Sequence, residues 1–153
     1  MRIVRHSGTL AAPREQTFSL LEDARVAGRL NPAFLELEVL AAPWLPRAGE
    51  RTRLRLRHRR VDFEMETELA EYRRGHFLLD RQVSGPFASF EHAIHVEDTA
   101  EDTIRVTEIL AYAVPFGILG RLFDRFVLKV DLERILATRL SRLGDLLERG
   151  QSD

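Results

Sequence analysis

The sequence predicts an α+β fold in which a curved antiparallel sheet wraps around one long C-terminal helix, with two short helices after the first strand. Three observations predict it. Successive runs alternate apolar and polar side chains, the period of half-buried strands. Pro13 and Pro32 bracket a stretch with helical signals. From Gly117 to about Glu148, apolar residues recur at three- and four-residue spacing.

Residues 2–10 alternate well enough for a first strand. Pro13 stands where a helix begins, its fixed φ and missing N–H harmless at the first helical position. Phe18, Leu20 and Leu21 give that helix an apolar face. Asp23 starts a second short helix through Leu30, and Pro32 stops it, because the residue before a proline is pushed out of the helical region. Residues 35–40 form the next strand, and 41–49, with two prolines and a glycine, form a loop.

The clearest hairpin follows. Thr52, Leu54, Leu56 and His58 alternate with Arg51, Arg53, Arg55, Arg57 and Arg59, and Val61, Phe63, Met65, Thr67 and Leu69 alternate with Asp62, Glu64, Glu66 and Glu68. A short turn near Arg60 and Val61 pairs Arg57 with Glu64 and Arg55 with Glu66. Opposite charges across strands contribute about 0.2–1 kcal/mol per pair, and a slip of one residue would expose the apolar set. Residues 76–83 form another strand, Gly85 and Pro86 turn the chain, and 87–97 with 103–114 form a further hairpin. The last helix carries Leu119, Leu122, Phe123, Phe126, Val130, Leu136, Leu140, Leu143 and Leu147 on one broad apolar face.

With 153 residues the chain fits one domain over 1–150, and 151–153 read as a frayed tail. No apolar stretch approaches the roughly 20 residues of a membrane-spanning helix, so no integral membrane association is expected. The start of the chain lacks the features of a secretion signal, and a cytoplasmic location follows. The absence of cysteine removes disulfides, thiolate metal sites and cysteine nucleophiles. A net charge of −1 gives no field for nucleic acid. The six arginines between Arg51 and Arg60 face the acids of the adjacent strand, which cancels them locally. The segment Gly117-Ile118-Leu119-Gly120 lacks the lysine and hydroxyl ending of a phosphate loop.

The chemistry concentrates in the final hairpin. A turn at 99–102 would pair His92 with Glu108, Phe90 with Leu110 and Ala88 with Tyr112, all facing inward. An imidazole beside a carboxylate has its tautomer fixed, and a tyrosine adds a donor at the wall. Such a group orients a ligand or moves a proton; the plain alternative is a buried polar pair that satisfies itself. Leu54, Leu56, Phe63, Met65, Phe90, Leu110, Phe123 and Phe126 would furnish apolar walls around His92, Glu108 and Tyr112, and they are also what any core contains. His58 shares a face with Leu56, but no recognised spacing joins it to His92 and Glu108, so neither a metal nor a cofactor is expected. The facing of Asp80 and Gln82 depends on the turn at Gly85.

The element order, with Gly85-Pro86-Phe87 followed by Phe90 and His92 and then Glu108, Tyr112, Pro115 and Gly117, resembles the START-like helix-grip superfamily, also called SRPBCC. Bacterial members often carry a second histidine after the first. Here those positions hold Ile94 and Val96, while His95 points to the opposite face. The resemblance implies a helix-grip fold with a groove between sheet and helix that takes lipids, sterols, polyketides or similar molecules. The principal expectation is binding or carriage of a hydrophobic small molecule, its polar end met by His92, Glu108 and Tyr112. One alternative is a polyketide cyclase/dehydratase-type enzyme in which His92 shuttles a proton and Glu108 holds it. Another is an interaction module, such as a homodimer, using Trp44 and its loop or the outer sheet.

Overall fold

Each alternating run becomes a strand of one sheet. The computed structural model describes residues 1–152. Its elements are β1 (Arg2–Leu10), α1 (Arg14–Glu22), α2 (Ala24–Leu30), β2 (Leu35–Ala41), β3 (Arg51–His58), β4 (Val61–Arg73), β5 (Phe77–Ser84), β6 (Ser89–Ala100) and β7 (Thr103–Ala113), then α3 (Gly117–Phe123), a π-helical turn (Asp124–Leu128) and α4 (Lys129–Ser152). Asp153, the end of the tail expected at 151–153, lies outside the described residues.

The seven strands run antiparallel in the order β1-β7-β6-β5-β4-β3-β2 and curl into a half-barrel, the helix-grip arrangement. β1 and β2 therefore lie at opposite edges, and the α1–α2 pair must cross the open side of the sheet to join them. Pro13 is the N-cap of α1, one position earlier than expected, and the Asp23 side chain caps α2 by accepting from the Arg25 N–H at 2.9 Å. α4 packs against β1 so closely that a Cβ at Gly8 would overlap the Leu140 side chain. Among the described residues, no helix is long and apolar enough to cross a membrane.

Two expected registers move by two residues, which preserves the faces. β3 and β4 pair Arg57 with Asp62 and Arg55 with Glu64, not with Glu64 and Glu66. The turn is Arg59-Arg60, both at positive φ (48° and 73°), a two-residue hairpin conformation usually given to Asn-Gly. Arginine supplies no local signal for it. Tertiary contacts hold Arg59 there: its guanidinium bonds Asp131 at 2.6 and 2.8 Å and lies 5.0 Å over the Phe34 ring. β6 and β7 pair His92 with Leu110, Phe90 with Tyr112 and Ile94 with Glu108, because Ala100 faces Thr103 across a tight turn with a bulge beside it.

The single long helix is also corrected. Its first turns form α3 and the π turn, and they bury Gly120, Asp124 and Leu128, not the leucines and phenylalanines. Phe123 and Phe126 are exposed, as are Leu119, Leu122 and Val130. The inward positions hold a glycine and an acid, so the apolar period marks the wrong face. Asp124 is accommodated because the Tyr112 hydroxyl donates to it at 2.6 Å and Arg2 pairs with it. From Leu132 the periodicity holds, with Ile135, Leu136, Leu143 and Leu147 buried.

Candidate functional site

The interior has two apolar clusters separated by polar residues. One gathers Phe18, Leu69, Leu78, Ile94, Val106 and Leu143; the other gathers Val4, Leu110, Tyr112, Leu132 and Leu136 with Phe87 and Phe90 against it. Between them, five elements each contribute an inward polar side chain. Thr67 on β4 precedes Leu69, Asp80 on β5 follows Leu78, His92 on β6 precedes Ile94, Glu108 on β7 follows Val106, and Arg139 on α4 follows Leu136. A strand's period of two and a helix's period near four bring these residues to one level.

At that level Asp80 stands directly opposite His92 in the β5–β6 ladder. His92 Nε2 lies 2.7 Å from Glu108 Oε2, a bond that crosses the ladder diagonally. Arg139 Nε donates to the same carboxylate at 3.0 and 3.2 Å, and its Nη1 reaches Asn31 Oδ1 and the Ala27 carbonyl, both at 3.3 Å. Burial pushes the Glu108 carboxyl up, but Arg139 and His92 outweigh it and hold it at about 2. Glu108 is thus an anion at neutral pH. Because a carboxylate only accepts, the ring's Nε2–H donates to Glu108, which leaves Nδ1 for a ligand. Burial raises the Asp80 carboxyl, offset in part by the His92 charge, and no hydrogen bond contributes.

Two adjoining cavities meet at this level, sharing Leu37, Leu54, Thr67, Asp80, His92 and Arg139 as walls. The smaller, about 180 Å³, lies under α4 with Leu56, Phe63, Met65, Phe90, Leu110 and Leu132 among its lining residues. The larger, about 350 Å³, runs between α1, α2 and the β2–β3 loop, where Trp44 is 94% exposed and Arg25 lies 5.8 Å from its ring. Ligand sites commonly span roughly 300–1,000 Å³, with apolar walls and few polar groups.

The residues anticipated for the site divide accordingly. Leu54, Leu56, Phe63, Met65, Phe90, His92 and Leu110 line cavity wall. Glu108 stands behind His92, fully buried. Tyr112 is also fully buried, but its hydroxyl serves Asp124 instead of a cavity. Phe123 and Phe126 lie outside, for the reason given above. His58 lines the smaller cavity, yet its Nε2 bonds Asp131 at 2.7 Å. No group of three metal-ligating side chains comes together among the described residues. Gln82 is occupied with the backbone of Phe87, at 2.9 and 3.3 Å.

Arg139 went unread in the sequence because it interrupts a leucine-rich face like any solvated arginine. The signal available was its spacing, three residues past Leu136 and four before Leu143.

A curled sheet gripping a helix, with cavities between them, defines the helix-grip class of folds. The chain belongs to the polyketide cyclase / dehydrase and lipid transport family, whose model matches residues 1–148. No curated protein matches the sequence. Among solved structures, a Thermus thermophilus protein is similar at 22% identity and TM-score 0.76, over 97% of this chain and 99% of that one. A START superfamily protein from Mycobacterium smegmatis is similar at 17% and 0.73, over 96% and 97%. The Zhui aromatase/cyclase from Streptomyces sp. R1128 is similar at 18% and 0.72, over 97% and 94%. These likenesses establish the fold.

Proposed function

We propose that the protein binds and carries a hydrophobic small molecule in the paired cavities, with Asp80 and His92 meeting the ligand's polar end. One observation carries this reading: the smaller cavity is walled mainly by apolar side chains, and Asp80, His92 and Arg139 face it where it meets the larger, more polar one. His92 Nδ1 accepts from a ligand hydroxyl, and Asp80 donates when protonated or accepts when ionised. Glu108 acts on the ligand through the ring it fixes, while Arg139 holds Glu108 and also forms part of the shared wall.

The test is native mass spectrometry after incubation with lipid and aromatic extracts. Retained ligand should be lost from His92→Ala and Asp80→Ala variants that still fold. Retention unaffected by either substitution rejects the site.

A second reading has its own support, the 2.7 Å bond between the His92 ring and a carboxylate held ionised. Such a pair suits general acid–base catalysis of cyclisation or dehydration on a polyketide-like substrate, and one solved structure of this fold is an aromatase/cyclase. Turnover lost in His92→Ala with binding intact favours catalysis; loss of binding alone favours carriage.

A further inference from the structure

The outer face of α3 and the π turn is strongly apolar. Phe116, Ile118, Leu119, Leu122, Phe123 and Phe126 lie within one short segment, and all are exposed, Phe116 by 84%, Leu119 by 76% and Phe126 by 69%. Isolated exposed apolar residues are ordinary, but a contiguous group marks an interaction surface.

The backbone holds this face in place. Phe116 has φ 71°, a left-handed conformation rare for an aromatic residue, and its ring nonetheless projects into solvent. The first turn of α3 presses against the preceding loop, where a Cβ at Gly120 would collide with the Pro115 carbonyl. The π turn is anchored from within by Asp124, which bonds Tyr112 and Arg2. Backbone strain of this kind concentrates at functional segments.

The charges on the segment select its partner. Arg121 and Arg125 are exposed between the apolar side chains, whereas Lys129 is half-buried and pairs with Glu133 at 3.9 Å. The Arg125 guanidinium lies 5.7 Å from the Phe126 ring. The only acid from 116 to 130 is Asp124, which is buried and paired. A two-fold pairing with a second copy would bring these arginines together with no carboxylate on the segment to receive them. A surface with negative headgroups above hydrocarbon satisfies both features, as for amphipathic helices lying in a membrane interface.

We propose that the exposed face of α3 and the π turn docks the protein on an anionic lipid bilayer. The inner side of the same segment contributes Leu128 to the smaller cavity. Docking therefore sets that cavity one helix thickness from the membrane.

The experiment is co-sedimentation of the full chain with phosphatidylcholine vesicles, with and without phosphatidylglycerol, at low and high salt. Binding should require phosphatidylglycerol and weaken as salt rises. Arg121→Gln with Arg125→Gln should reduce partitioning roughly thirty-fold, and Phe116→Ser with Phe126→Ser by about tenfold or more. These side chains are exposed, so circular dichroism melts should match wild type. The preference of wild-type protein for anionic over neutral vesicles needs no variant. No binding, equal binding to neutral vesicles, or wild-type binding by both double variants overturns the proposal. So does a dimer in solution that Phe126→Ser dissolves while vesicles bind nothing.

Discussion

His92 Nε2 bonds Glu108 Oε2 at 2.7 Å although neither residue faces the other across the ladder, His92 standing opposite Leu110 and Glu108 opposite Ile94. The bond runs diagonally, which leaves room for Arg139 to reach the same carboxylate from α4. Glu108 is thereby the hub that ties sheet to helix at the level of the cavity.

Removing the hub's charge strands its partner. Glu108→Gln leaves Arg139 buried without its counter-ion, so unfolding in urea should show a loss of about 3–5 kcal/mol. Replacing both, with Glu108→Leu and Arg139→Leu, should cost less than Glu108→Gln alone, since the stranded charge is gone. A double variant as unstable as the sum of its parts would mean that the two residues act independently.

The same carboxyl sets an acid limit. Its folded-state value of about 2 lies below the ordinary 4.5, so its contribution to stability is complete above 4.5 and is lost as pH falls toward 2. Urea midpoints across that window should fall for the wild type and fall less steeply for Glu108→Gln. Parallel curves would remove Glu108 from the acid transition.

Asp80 carries the opposite sign. Burial raises its carboxyl above the ordinary 3.8, so the stability it contributes is complete only below that value and is lost as pH rises through the folded value. At neutral pH its charge is a burden, and Asp80→Asn should unfold at higher urea than wild type. The difference should close in acid, where both side chains are neutral. A variant less stable than wild type at neutral pH would show that His92 outweighs the burial of the Asp80 charge.

Tyr112 separates packing from recognition. Its hydroxyl donates to the buried Asp124 carboxylate at 2.6 Å, and the ring is closed off from solvent. Tyr112→Phe should cost about 1.5–3 kcal/mol in urea, the range for a hydrogen bond to a charged group, and leave ligand retention unchanged. Retention lost with little change in stability would return Tyr112 to the cavity wall.

Most of the fold was legible because strand alternation survives a two-residue register error. Arg57 faces Asp62 and not Glu64, yet the arginines stay outside and Leu54 and Leu56 stay inside. Helix periodicity failed at α3 because it registers apolar side chains, whereas Gly120 faces inward through its small size and Asp124 through its partners. Parity put His92 and Glu108 on one face, and although the expected direct pairing was two residues out of register, they still meet diagonally. Arg139 belongs to a distant element, and only the packing of α4 over the sheet brings it to Glu108.

The cavity itself admits a direct test at Leu54, which borders both parts. A larger side chain in a well-packed core forces strain of roughly 1–3 kcal/mol, whereas one that enters an existing void gains contacts without displacing neighbours. Leu54→Trp should therefore keep stability within about 1 kcal/mol of wild type, because space lies beside it on two sides. It should also abolish retention of any ligand that spans the junction near His92. Destabilisation of several kcal/mol on urea unfolding would show that the space is closed in solution. Unchanged retention would put the ligand elsewhere, and with it the roles given to Asp80 and His92.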